Sequence, residues 1–211
     1  MPLSGVYFAG LDYYLICEVN IEKEFLMKAI IPLSFMLLAA ALSARTYIAD
    51  PAHSSIGFSV KHLGISTVRG LFKTFTTTFS ADEEKGVISA LSADIDTASV
   101  DTRVDMRDNH LRSADFFDVK QFPAAKFVMK SYTGTKAGGK ILGDLTLHGV
   151  TKPVTLDLVI TGSMTDKNGK TRIAGTATGV INRTDFGVGK KGEMPVSESV
   201  TLTIDIEAIA Q

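Results

Sequence analysis

From Ser54 to the end of the chain, apolar and polar residues alternate with a period of two, the pattern of strands that bury one face. Ile56, Phe58 and Val60 share a face, as do Phe75 and Phe79 with Thr77 between them. Val87, Leu91, Ala93 and Ile95 form another, followed by Phe127 and Met129. Then come Ile141, Leu145 and Leu147, and after them Val154, Leu156, Leu158 and Ile160. The last run carries Val200, Leu202, Ile204, Ile206 and Ala208. Turn-forming stretches separate the runs: "EEKG", "KAGG", "HGVTKP" and "DKNGK", the last with an Asn-Gly pair suited to a tight hairpin. No helix–strand alternation is present, which argues against a parallel α/β sheet. Antiparallel pairing in sequence order is expected, and closure into a barrel would remove the exposed edges.

Two segments depart from this rhythm. In "DTRVDMRDNHLRSADFFD" (101–118), Val104, Arg107, His110 and Leu111 recur at steps of three and four, which predicts a helical connection. Asp101 or Thr102 is placed to cap it. The helix is expected to cover one end of the barrel. The strand "RIAGTATGVI" (172–181) presents Gly175, Ala177 and Gly179 on one face between Ile173 and Ile181. Glycine weakens a strand unless something approaches closely. Either a bulky neighbour such as Phe58 or Phe127 packs there, or small side chains keep the interior open.

The front of the chain has a different character. "MKAIIPLSFMLLAAALSA" (27–44) runs from a methionine and one lysine through an apolar stretch to small residues, the order of a secretory signal peptide. Residues 27–43 are read as that signal, with a mature start at Ala44. Residues 1–26 have no role in front of it and are expected not to be translated, initiation falling at Met27. The mature domain is then 44–211. The leader takes with it the single cysteine, Cys17, two of the 22 basic residues and four of the 23 acidic ones. What remains is nearly neutral and free of cysteine. It has no electrostatic footprint for nucleic acid and gains nothing from disulfides in an oxidising compartment. Stable membrane insertion of the mature chain is not expected.

Candidate chemistry concentrates in "RDNHLRSADFFD" (107–118). Asp108, His110 and Asp115 are the residue types of an acid–base or metal site. However, the chain has no "GxSxG" or "HExxH", and His53, His62, His110 and His148 fall on separate elements without ligand spacing. The expectation is a structural clasp: Arg107, Asp108, Arg112 and Asp115 cap the helix, pair with one another and pin it to the rim. Phe116 and Phe117 would drop onto the core or a ligand. No catalytic residue, metal or cofactor is expected.

Four stretches together, "DPAHSSIGFSVKHLGISTVRGLFKTF" (50–75), "RDNHLRSADFFDVKQFPAAKFV" (107–128), "GDLTLHGVTKPVTL" (143–156) and "NRTDFG" (182–187), resemble the YceI family of periplasmic lipid-binding proteins. The resemblance spans essentially the whole mature chain. It implies an all-β fold, an eight-stranded antiparallel lipocalin-like barrel with the short helical connection at 101–118. It also implies a periplasmic carrier whose interior holds a long isoprenoid, as a polyprenyl chain or a quinone tail. Such a barrel has room for packed side chains or one slender ligand. The expected lining is Phe58, Val60, Phe72, Phe127, Met129, Leu145, Leu147 and Ala177, with Leu111, Phe117 and Phe186 from the connections. A periplasmic stress-response or interaction module with an incidental cavity is the alternative. A hydrolase built on Asp108 and His110 is the weaker one. Homodimerisation is left open.

Overall fold

The computed structural model describes residues 44–192 and 195–211; the expected untranslated segment and signal peptide lie outside the described residues. Eleven strand segments alternate with short turns: β1 (Arg45–Ala49), β2 (Ser55–His62), β3 (Ser66–Phe72), β4 (Phe75–Asp82), β5 (Val87–Asp96) and β6 (Val100–Asp101). After the single α-helix among the described residues, α1 (Asp105–Arg112), come β7 (Ala124–Thr135), β8 (Gly138–Leu147), β9 (Val150–Thr165), β10 (Thr171–Asn182) and β11 (Val196–Ala210).

The eleven segments make eight staves. β1 and β2 lie end to end along one edge of β11, which pairs Tyr47–Ala49 with Ala208–Ala210 and Ser55–Val60 with Val200–Asp205. β3 and β4 follow them, pairing with β2 and β1 respectively. β5 and β6 in turn pair with β4 and β3. β7 pairs with β5 and β8, β8 to β10 pair with their sequence neighbours, and β11 closes the ring against β1 and β2. All pairings are antiparallel, so the expected eight-stranded barrel is observed. It is an up-and-down meander with no long crossover.

The breaks in the three long staves fall side by side and lose few hydrogen bonds. Asp50 N–H donates to the Glu207 carbonyl at 2.8 Å, and Glu207 N–H donates to Ser54 Oγ at 3.0 Å. Across the next pair, Lys73 N–H reaches the Ser99 carbonyl (3.2 Å) and Thr74 N–H reaches Ser99 Oγ (3.0 Å). Short serines thus replace ladder bonds where long strands must bend to close a narrow barrel. Arg172 braces the same level, donating to Glu207 (2.6 Å), Asp50 (3.2 Å) and Asp166 (3.3 Å).

Alternation places one face of every stave inward. The largest cluster of buried side chains includes Phe75, Phe127, Ile141, Leu156 and Val200. A second, smaller cluster closes the end that holds residue 44 and the chain terminus, around Tyr47, Ala81 and Ala208. Tyr47 is 0 % exposed, stacks on Phe79 at 5.0 Å and donates its hydroxyl to Glu83. Burial first, and then the Glu83 carboxylate, push its pKa from 10.0 to about 12.

Candidate functional site: the barrel interior and its clasp

The barrel is hollow. A cavity of about 750 Å³ extends along its inside, with walls drawn from every one of the eight staves. Side chains cannot fill it because the inward positions include small residues, Thr77, Ala93, Ala125, Gly175 and Ala177 among them. The middle is apolar, and charged groups reach the wall only at the two ends. His62, Arg107, His110 and Arg183 stand at the end covered by α1, and Glu83, Glu84 and Lys136 at the other.

Nine of the eleven side chains expected to line the interior do so. Phe58 and Val60 come from β2, Phe72 from β3, Phe127 from β7, Leu145 and Leu147 from β8, and Ala177 from β10. Leu111 of α1 and Phe117, just beyond it, complete this group. Met129 and Phe186 are not part of the wall. Met129 precedes a bulge between β7 and β8 and is only partly buried against the core. Phe186 is 2 % exposed, but the short 3₁₀ turn Arg183–Phe186 packs its ring into the core outside the cavity. Alternation alone could not reveal either shift. Thr77, Leu156, Leu158, Leu202 and Ile204 also line the cavity. Their inward faces were legible, but which buried residues border empty space depends on all eight staves at once.

The small face of β10 resolves into two parts. A Cβ on Gly179 would lie 2.6 Å from Leu156 Cδ2, so the neighbouring leucine occupies that space. Gly175 and Ala177 border the cavity. The bulky neighbours are therefore leucines of β9. Phe58 lies over Gly70 and Phe127 over Gly143 instead, each ring covering a glycine on the adjoining stave.

β5 and β7 are paired only over Ser92–Asp96 and Ala124–Val128. Beyond Ser92 the two strands part, and Val87, Ile88 and Leu91 on one side and Tyr132 and Thr135 on the other belong to the cavity wall. Burial raises the pKa of the Tyr132 phenol, whose hydroxyl donates to the Thr135 carbonyl at 3.1 Å.

α1 sits at one end of the barrel, as expected, but is held differently. Val104 occupies the N-cap position with no side-chain bond; Asp101 accepts from Arg103 N–H (2.8 Å) and does not cap the helix. Asp108, 5 % exposed, reaches back to accept from Thr102 N–H (2.9 Å) and Thr102 Oγ1 (2.5 Å). Arg107 donates to Thr102 Oγ1 and to its carbonyl, both at 2.7 Å. Arg112 donates to the carbonyls of Ala98 (2.7 Å) and Val100 (2.8 Å). The arginines and Asp108 thus bind the incoming strand's backbone and the Thr102 hydroxyl rather than one another. The Asp115 carboxylate meets His110 at 3.4 Å, both exposed, while the His110 ring lies edge-on to Phe116 at 5.0 Å. Phe117 packs on Phe72 at 5.6 Å. Asp108 and the His110–Asp115 pair therefore do not converge on a reacting atom.

Arg183 performs the equivalent task for the connection between β10 and β11. It is buried and donates to the carbonyls of Ser197 (3.1 Å), Val188 (2.8 Å) and Lys190 (3.3 Å). Burial lowers its pKa. At the bend of the first stave, Asp50, His53 and Glu207 offer ligand atoms within 4.8 Å of one another. The Arg172 guanidinium already bonds both carboxylates, so the cation this group accommodates is its own arginine.

A closed antiparallel barrel of eight staves, hollow and apolar inside and clasped at one end by a short helix, is the class of protein that these features define. A family model for the YceI-like domain matches residues 47–208, and the chain belongs to that family. It is 40 % identical over 180 residues to a UPF0312 protein of Pseudomonas putida, covering 83 % of this chain and 92 % of that one. The crystal structure of the Campylobacter jejuni YceI protein superposes with a TM-score of 0.66 at 37 % identity, covering 77 % of this chain and 96 % of that one. A polyisoprenoid-binding domain from Saccharophagus degradans, implicated in plant cell wall breakdown, shares the fold. Its TM-score is 0.57 at 16 % identity, over 78 % of this chain and 98 % of that domain.

Proposed function

We propose that this protein is an exported, periplasmic carrier of a long isoprenoid lipid, held lengthwise inside the barrel. The observation that carries the reading is the cavity of about 750 Å³, walled mainly by apolar side chains, with charged groups only at its ends. Each buried CH₂ contributes about 0.8 kcal/mol, so an extended apolar chain can bind without a conspicuous polar site. The sequence kinship with YceI proteins and the fold shared with a polyisoprenoid-binding domain support the same ligand class. The clasp residues act structurally in this account, and no cofactor takes part.

The test is native mass spectrometry, with organic extraction, of protein purified from its own periplasm. A stoichiometric isoprenoid and a mature N-terminus near Ala44 are the expected results. A barrel that emerges empty favours an interaction module with an incidental cavity, and turnover of an ester or phosphoester panel would replace the carrier with an enzyme.

A further inference from the structure

Connections at the Tyr47 end of the barrel are polar, with "DEEKG" (82–86) between β4 and β5 and "DKNGK" (166–170) between β9 and β10. The β2–β3 connection, at the end covered by α1, is the opposite. Its tip is Leu63-Gly64-Ile65, with Leu63 64 % and Ile65 85 % exposed. Leu63 holds φ at 52°, a left-handed conformation that suits Gly or Asn and is unfavourable for a bulky apolar residue. A Cβ on Gly64 would meet no atom within 4 Å, so the tip stands clear of the rest of the fold. Two large apolar side chains are thus displayed at a strained turn where they add nothing to the core.

The start of α1 reaches the same end. β6 pairs Val100 and Asp101 with Phe72 and Leu71 of β3, and a Cβ on Gly70 would lie 2.8 Å from Thr102 Cγ2. The chain therefore runs along β3 towards the tip, and it presents Met106 81 % exposed. Charge around these side chains is mainly positive. The hairpin Ser55–Phe72 carries Lys61 and Arg69, both exposed, and no acid; Arg103 and Asp105, also exposed, stand before Met106. His62 and Val68 of the hairpin and Leu111 of α1 line the cavity, so the apolar tip borders its mouth.

We infer that this rim is a membrane-docking surface: Leu63, Ile65 and Met106 enter the interface of an anionic phospholipid bilayer while Lys61, Arg69 and Arg103 meet its headgroups. The inference rests on the carrier reading, because a bilayer is where a barrel holding an isoprenoid collects or releases it. Docking by this rim sets the cavity mouth against that bilayer. A second copy of the chain fits less well, since it would bring Lys61 and Arg69 against their own kind, whereas phosphate headgroups neutralise them.

Flotation of the purified protein with phosphatidylethanolamine–phosphatidylglycerol vesicles is the test. The wild type should bind them, and should bind phosphatidylcholine vesicles about 5-fold more weakly or worse. Leu63→Asn, which suits the left-handed turn, combined with Ile65→Ser should weaken binding by about 10-fold for each side chain. Met164→Gln, at a position 63 % exposed near the Tyr47 end, should leave binding unchanged. Ile65→Ser alone replaces the double variant if that does not fold. Isoprenoid titration of the delipidated proteins should give the same affinity for wild type and variants. Wild type that binds isoprenoid but no vesicles overturns the docking surface and leaves the carrier intact, as does equal flotation of wild type and double variant. A dimer that the double variant dissolves, without vesicle binding by the wild type, assigns the tip to a second copy and overturns it too. Failure of the wild type to bind isoprenoid defeats the carrier reading, and the docking role with it.

Discussion

Ala177→Phe discriminates between a lipid tunnel and an ordinary core. Ala177 is 7 % exposed, borders the cavity, and pairs with Leu158 on one side and Ile204 on the other. A phenyl ring placed there points into open space, whereas overpacking a filled core costs about 1–3 kcal/mol. A space of roughly 150 Å³ accommodates one benzene ring, about a fifth of the 750 Å³ present. The ring therefore fits the empty protein and changes its stability by less than about 1 kcal/mol. It displaces about four carbons of a bound chain at about 0.8 kcal/mol each, about 3 kcal/mol or roughly a 200-fold loss of affinity. Urea unfolding of delipidated protein measures the first quantity, and isoprenoid titration measures the second. A strongly destabilised empty protein whose folded fraction still binds lipid normally would refute the reasoning, because the small face would then be filled by a neighbour.

Two further expectations concern the ends of the barrel. Asp108→Ala leaves the buried Thr102 N–H and hydroxyl proton without their acceptor and should cost about 1–3 kcal/mol in urea unfolding, whereas His110→Ala, at an exposed position, should change stability by less than about 0.5 kcal/mol; comparable losses from both would contradict the division of labour seen in the clasp. Tyr47 holds its proton to about pH 12 in the folded state against 10.0 in the unfolded chain. Its contribution is complete below pH 10.0 and is lost as pH rises through about 12. Tyr47→Phe should therefore lose less stability than the wild type over that interval, and parallel losses would remove Tyr47 as the cause.

Faces within β2, β4, β5 and β7 to β11, the antiparallel order and the helical connection were legible in the sequence, because period-two and period-3.6 patterns are local consequences of backbone geometry; β1, β3 and β6 carried no pattern that was read. Eight faces could be read even though the structure breaks three of the staves, since the breaks at 50–54, 73–74 and 97–99 do not disturb the alternation within each half. Hydrogen-bond partners were less accessible. Asp101 and Thr102 looked like helix caps, but the folded backbone turns so that Asp108 bonds back to Thr102, a relation set by the path between strand and helix. Met129 keeps the phase of Phe127 yet lies off the cavity wall, and Phe186 leaves it in a 3₁₀ turn; alternation announces neither.

Thr77 marks the boundary between the two kinds of information. Its position on an inward face follows from the chain alone, because Phe75 and Phe79 flank it at a spacing of two. That its hydroxyl has no partner among the described residues was decided only when the eight staves closed. A partner can come from any strand that curvature brings across the barrel, and no local pattern records which of them arrives within reach.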